Sequence, residues 1–387
     1  MGSLVDICRF NPTLGGTTDW TVNTAVTGFI TPAQAGATNG AVYRYRAESA
    51  DRLQWEIGYG VYSTGTTVLT RAIVMFNSSG TTSKINFSTV PQIAIIALAE
   101  DIGRPQSDNP NVRITASSGV PITSTDVAAV GTIYVTPYSG NIIPLYDSSN
   151  WVPTPFAETS LSLSGFAANT VFDLWGRISS GALAIDTTAW TNDTTRATAI
   201  AQQDGIDVKS GDATRRLLGT FRTTGTTGQT EDSKTKRYIS NRYNDVPRMM
   251  LVNDPAATWA SSGSATFRQA NANAANQNDC VMCVPRFVQI MALGNAYLSV
   301  VNTPSLAMVG IGISSIPVAS ADILHCVAGL SSGVGVACHA YYAGTPGAGR
   351  FYFTWMESVT PTGTSVVNWQ GINPPYTQSG IYGTVNG

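Results

Sequence analysis

The sequence predicts an all-β protein: a small N-terminal β-module, a short linker and β-hairpin unit, a jelly-roll-like β-sandwich with one short helix, and an extended C-terminal arm. Three observations lead there. Apolar residues recur at every second position over short runs. Clusters of Gly, Ser, Asn and Pro separate those runs at close intervals. Charged residues are only 12% of the 387 residues, about half the share of an average soluble domain. So low a charge fits a surface that is largely covered in an assembly. The net charge of -2 argues against bulk binding of nucleic acid.

The N-terminal module is assigned to 1–102. Leu53, Trp55, Ile57, Tyr59 and Val61 alternate with Gln54, Glu56, Gly58 and Gly60, which predicts a half-buried strand. Tyr43, Tyr45 and Ala47 alternate in the same way with Arg44, Arg46 and Glu48. Thr31 as N-cap, Pro32 in the first helical position and Gly36 as terminator predict a short helix. Ile93–Leu98, apolar on both faces, reads as an interior strand, and the apolar run Ile93–Ala99 is too short to span a bilayer. Met1–Asp6 lacks the basic start and apolar stretch of a secretory signal.

A linker and small β unit are assigned to 103–157. Residues 103–110 hold two prolines and no apolar side chain, so a boundary is expected there. Thr132–Tyr138 and Ile142–Asp147 flank Ser139-Gly140-Asn141, which reads as a hairpin. The sandwich is assigned to 158–357, with a helix over Thr194–Gln203 capped by Asn192-Asp193 and ended by Gly205. The arm, 358–387, has no charged residue. It cannot fold alone, so it is expected to pack on its own sandwich or on a neighbouring subunit, with Trp369, Tyr376, Ile381 and Tyr382 as candidate assembly contacts.

Few residues invite chemistry. Cys280-x-x-Cys283 lacks a second pair at zinc spacing and reads as buried apolar thiols. A turn centred on Ser332 would place His325 opposite His339 and Cys326 opposite Cys338. Those pairs read as a cross-strand disulfide, a two-histidine metal site, or plain packing. Asp204, Asp207 and Asp212 lie close in sequence, as solvated turn carboxylates do. Residues 212–248 hold eight cations against four carboxylates. Arg215, Arg216, Arg222, Arg237 and Arg242 are therefore a candidate basic face for an acidic glycan or an acidic neighbour, or else one side of a salt-bridged sheet. There is no H-E-x-x-H, no P-loop and no G-x-G-x-x-G before a helix. No catalytic residue, metal or cofactor is assigned, and the chain is expected to be non-enzymatic.

Several runs resemble tailed-bacteriophage virion structural proteins of the tail, neck or collar fibre type. In the first module these are Trp55–Tyr62, Thr70-Arg71, Asn77–Gly80 and Ile85–Ser88. Further along they are Ala189–Arg196, Gln203-Asp204-Gly205, Val208–Gly211, Arg215–Thr224 and Thr230–Ser233. Phe267–Asn271, Gly349-Arg350, Thr354–Glu357 and Gln378–Gly383 are similar to later parts of the same family. The resemblance implies a virion protein that docks by its N-terminal module, with host attachment as a further role. It also implies a homo-oligomer, commonly a trimer, with other tail, neck or capsid proteins as partners and a host surface glycan as a further one. Capsid decoration, as a head fibre, and a glycan-binding tip are the alternatives, because such modules recur in differently placed virion parts. Assembly in a reducing host cytoplasm argues against a disulfide. Neither nucleic acid nor membrane is an expected partner.

Limited proteolysis of the native chain is expected to cut first within 103–110 and to release fragments that resist further digestion. Early cutting inside 158–357, with 103–110 intact, would contradict the boundary.

Overall fold

The computed structural model describes residues 4–98, 110–261, 265–300, 305–316, 318–325, 327–330, 333–360, 366–373 and 377–387. It is all-β and of sandwich type. The chain divides into two units, Met1–Arg104 and Pro105–Gly387. The expected linker at 103–110 lies outside the described residues except for Pro110.

Among the described residues the first unit has seven strands: β1 (Arg9–Pro12), β2 (Trp20–Ala25), β3 (Val42–Glu48), β4 (Trp55–Ser63), β5 (Val68–Leu69), β6 (Ile73–Asn77) and β7 (Gln92–Ile95). The order β3-β7-β1-β2-β5-β4 closes on itself through a β3–β4 pairing, and β6 hangs from β4 as an edge. Closure removes most of the unpaired backbone that an open sheet presents. The core inside holds Phe10, Trp20, Tyr43, Tyr45, Ala47, Tyr62, Leu69, Phe87 and Ile93. The alternation in β3 therefore has the expected sense.

β4 has the opposite sense. A strand with one apolar face buries that face by default. Here Glu56, Gly58, Gly60 and Tyr62 point inward, while Trp55, Ile57, Tyr59 and Val61 line the outer side. Glu56 and Arg71 are both wholly buried and form an ion pair. Tyr45 Oη donates to Glu56 Oε1 at 3.0 Å, and the Ile85 N–H donates to Oε2 at 2.8 Å. Arg71 also donates to the carbonyls of Gly16 at 3.0 Å and Ile85 at 2.9 Å. Its guanidinium lies 4.9 Å from the Trp20 ring centre. The glycines are required by close approach: a Cβ on Gly60 would lie 1.6 Å from the Thr70 carbonyl oxygen, and one on Gly58 2.2 Å from that of Ile73.

The expected helix after Thr31 is a single turn. Thr31 and Gln34 make the reciprocal capping contacts, at 3.3 and 3.0 Å. Gly36 then enters the left-handed region at φ 77, before a second turn can add the bonds that offset nucleation.

The second unit begins with strands that share one core across the expected boundary at 157. Val112, Ile114, Ile133, Val135, Ile143 and Leu145 pack with Leu163, Phe172, Leu174, Leu218 and Phe221. The small unit 103–157 is therefore part of the first sandwich. Its expected hairpin does not form. Thr132–Pro137 pairs with Val112–Thr115 and Thr159–Ser162, whereas Ile142–Tyr146 pairs with Trp151–Pro155. Ser139 at φ 59 and Gly140 at φ 141 turn the chain out of the first sheet.

The helix expected over Thr194–Gln203 is also absent. Ile200–Gln203 and Ile206–Lys209 form a two-strand hairpin through Asp204 at φ 52 and Gly205 at φ 82, the Asp-Gly signature of a type I′ turn. The preceding loop is pinned from outside. Arg222 Nε and Arg350 Nη1 each reach Asp193 at 3.1 Å, and the Arg350 N–H donates to the Asp193 carbonyl at 2.8 Å. Among the described residues the helical element is one 3-10 turn, Ala270–Ala272.

The second sandwich places an eight-stranded sheet against a seven-stranded one. The C-terminal segment packs on its own sandwich, as interior strands and not as a separate arm. Gly380–Asn386 lies between Pro247–Asn253 and Val288–Val300, and Val366–Gln370 pairs with both Thr258–Ser261 and Val288–Val300. Trp369 and Ile381 are wholly buried in the main core. An uncharged strand is what an interior sheet position selects.

Glu56→Gln should destabilise the first unit by about 3–5 kcal/mol, since it leaves the Arg71 charge buried without its counter-ion. Hydrogen exchange should show faster exchange over residues 42–87, with the second unit nearly unchanged. Wild-type protection over 42–87 in the variant would contradict the role given to the pair.

Candidate functional site

The inversion of β4 builds the most distinctive surface in the molecule. By register, Arg9, Ala94, Arg46, Ile57 and Phe76 lie side by side across β1, β7, β3, β4 and β6. A second row runs from Arg44 through Tyr59 to Ile73. The Trp55 and Phe76 rings lie 5.7 Å apart, and the Arg44 guanidinium lies 4.5 Å from the Tyr59 ring centre. Phe76 is 49% exposed, Ile73 47% and Leu53, just before β4, 76%. Val42 and Val61 extend the apolar area. Lone exposed apolar residues are ordinary, but a contiguous aromatic and aliphatic face marks an interaction surface.

The residues singled out in the sequence do not meet in one place. Trp369 and Ile381 belong to the sandwich core, Tyr382 is partly exposed, and Tyr376 lies outside the described residues. The five arginines form no open basic face. Arg215 pairs with Asp186 at 3.0 Å and also with Asp212, Arg237 with Asp232 at 2.9 Å, and Arg242 with Asp207 at 2.6 Å. Burial works against the Arg242 charge, but the Asp207 bond outweighs it and holds the guanidinium above its ordinary value. Arg222 reaches Asp193, and Arg216 is wholly buried, donating to the Pro144 carbonyl at 2.9 Å with Tyr243 4.5 Å away. This is the salt-bridged arrangement rather than the glycan-facing one. Asp207 and Asp212 are used in these pairs, and Asp204 accepts from the Trp151 indole at 3.1 Å.

The expected histidine ladder is displaced by one residue. His325 lies opposite Ala340, and His339 opposite Leu293. A shift of one residue moves a side chain to the other face of the sheet, so the two-histidine site falls. The cause is a change of sheet: Leu324–His325 pairs with Val336–Gly344, whereas Val327–Leu330 pairs with Ser305–Ile313 in the facing sheet. Cys326, between them, lies outside the described residues, and Cys338 is buried opposite Gly294. Cys280 and Cys283 face separate clusters, the main core and a small one with Trp175 and Leu217. Burial raises the Cys280 thiol, and pushes that of Cys283 up to about 12 and that of Cys8 up to about 11. Among the described residues no group of three metal-ligating side chains converges.

Two further features stand outside the residues singled out from the sequence. Asp254 is wholly buried and is held by the amides of Asn271, Asn273 and Asn276 at 3.1, 3.2 and 2.6 Å. Burial pushes its carboxyl up, but the Ala256 N–H and these amides outweigh that and hold it below the usual carboxylate range. The three asparagines in Asn271–Asn276 are the signal that could have found it. Gly329-Leu330-Ser331-Ser332-Gly333 also has the spacing of a nucleophile elbow. That motif requires a helix after the serine, and the chain continues instead into the strand Val336–Gly344.

No protein-family model and no curated protein matches the chain. Among solved structures, the chain is similar to the functional form of the mosquito-larvicidal Cry4Aa toxin from Bacillus thuringiensis at 7% identity. The match covers 87% of this chain and 53% of that one, with a TM-score of 0.17. A Bacillus thuringiensis Cry1Da tryptic core variant matches at 8% identity, covering 68% of this chain and 52% of that one, again at a TM-score of 0.17. The chain thus spans about half the length of both, and at these scores neither likeness carries an argument.

Cys8, Cys280, Cys283 and Cys338 are expected to stay unlabelled by maleimide at pH 8 in the native chain and to label fully in urea, as peptide mapping would show. Rapid native labelling at any of the four would contradict their burial.

Proposed function

We propose that the chain is a non-enzymatic bacteriophage virion structural protein, a tail, neck or collar fibre or spike subunit. It docks on the particle through the first unit and presents the larger β-sandwich unit outward. The observation that carries this reading is the outward face of Trp55, Ile57, Tyr59, Ile73 and Phe76. A buried ion pair on the other side of β4 holds those side chains toward solvent, and an apolar face kept exposed is accounted for by something that covers it. The resemblance of Trp55–Tyr62, Thr70-Arg71 and Asn77–Gly80 to virion modules falls on the same strands. The low charge and the trimeric habit of the resembling family support a homo-oligomer.

The test is incorporation into particles. The wild-type chain should co-purify with virions, and Phe76→Ser with Ile73→Ser should reduce incorporation at least about tenfold, as expected for lost interface anchors. The melting temperature should stay within a few degrees of wild type, because both side chains are half exposed. Absence of the wild-type chain from particles, or undiminished incorporation of the double variant, would overturn the reading.

A further inference from the structure

Beside the apolar face the same sheet surface holds a cavity of about 300 Å3, lined in part by Arg9, Phe29, Arg46, Glu48, Ala94 and Ile96. Register explains how it forms. Arg9 and Arg46 sit on either side of Ala94 across three adjacent strands, so a single methyl group separates two long cationic side chains. Both guanidinium groups bond to one carboxylate, Arg9 Nη2 to Glu48 Oε1 and Arg46 Nη2 to Glu48 Oε2, each at 2.5 Å. The cluster therefore holds one positive charge more than its carboxylate cancels. Arg9 Nε is enclosed and has no hydrogen-bond partner, and its guanidinium lies 5.7 Å from the Phe29 ring centre. Phe29 is 40% exposed and Ile7, at the same cavity, 64%.

Two guanidinium groups that share one carboxylate, beside an apolar wall, specify a ligand group. It carries one negative charge, accepts hydrogen bonds in a plane, and sits on an apolar stem. We infer that the cavity binds a single carboxylate, the acidic side chain of the protein segment that covers the neighbouring apolar face. The source of that carboxylate rests on the docking reading above; its chemistry rests on the cavity alone. A doubly charged phosphate fits worse, because Glu48 stays within the cluster and repels the second charge. An arginine fork matches a carboxylate with two parallel bonds, and the apolar residues on both sides of the cavity suit a stem of methylene groups.

The probe is N-acetyl-glutamate α-amide, titrated into the full chain and followed by methyl NMR of Ala94, Ile95 and Ile96. Saturable shifts are expected, at least roughly tenfold weaker with N-acetyl-glutamine α-amide, since only the first brings the charge that the surplus cation attracts. Arg46→Gln should weaken binding several-fold. Glu48→Gln should tighten it several-fold, the opposite of what a merely structural salt bridge predicts. Arg46→Met replaces Arg46→Gln if the spectrum of the latter shows a disturbed fold. An equal response to both probes, no response to either, weaker binding in Glu48→Gln, or tighter binding of inorganic phosphate than of the carboxylate would each overturn the inference. Phe76→Ser should leave this titration unchanged, so loss of particle docking and loss of carboxylate binding are read separately.

Discussion

The buried pair of Glu56 and Arg71 is the constraint from which the rest of the first unit follows. Placing two charges in an apolar interior costs several kcal/mol per ion unless every donor and acceptor is satisfied. Here Tyr45, the Ile85 N–H and the carbonyls of Gly16 and Ile85 complete the set. Those partners come from well-separated parts of the chain, so the pair ties the loops around β2 and β6 to β4. It also sets the orientation of β4. With Glu56 inward, the period of two sends Trp55, Ile57 and Tyr59 outward, and the close approach of backbone at Gly58 and Gly60 leaves no room for the reverse. One internal interaction thereby creates the external face on which the proposed docking rests.

The second unit spends its few charges in a similar way. Arg113 is buried and donates to the carbonyls of Pro121 and Gly387 at 2.9 and 2.8 Å; burial, with Arg248 nearby, pushes its guanidinium down to about 10. Arg350 bridges Asp193 and Asp279 at 3.1 and 2.6 Å. Such pairs join strands distant in sequence, and they explain how a stretch rich in arginine presents no open basic face. Charge scarcity in the composition is thus matched by charge pairing in the fold.

The all-β class and the inward face of β3 were legible because period-two alternation and turn residues are local signals. The Asp204-Gly205 hairpin is an equally local signal, but it competes with the capping pattern at Asn192-Asp193, whose aspartate the structure uses for ion pairs with Arg222 and Arg350. The histidine ladder failed for a different reason. Symmetry about a turn assumes that both flanking strands stay in one sheet, and here the chain changes sheet between His325 and Val327. The uncharged composition of 358–387 predicts a segment that packs on something else, but the sequence does not say that its strand partners are Pro247–Asn253 and Val288–Val300.

By itself, then, the sequence determined the secondary-structure class, the low surface charge and the burial of isolated thiols, since each depends on composition or on neighbours a few positions away. Only the tertiary structure decided which face of β4 is buried, where each arginine finds its carboxylate, and that the final strand completes a sheet. Those outcomes depend on partners far apart in the chain. The free energy of a buried ion pair or a central strand depends on whether those distant groups arrive together, and alternation along one strand is the same whichever face they meet.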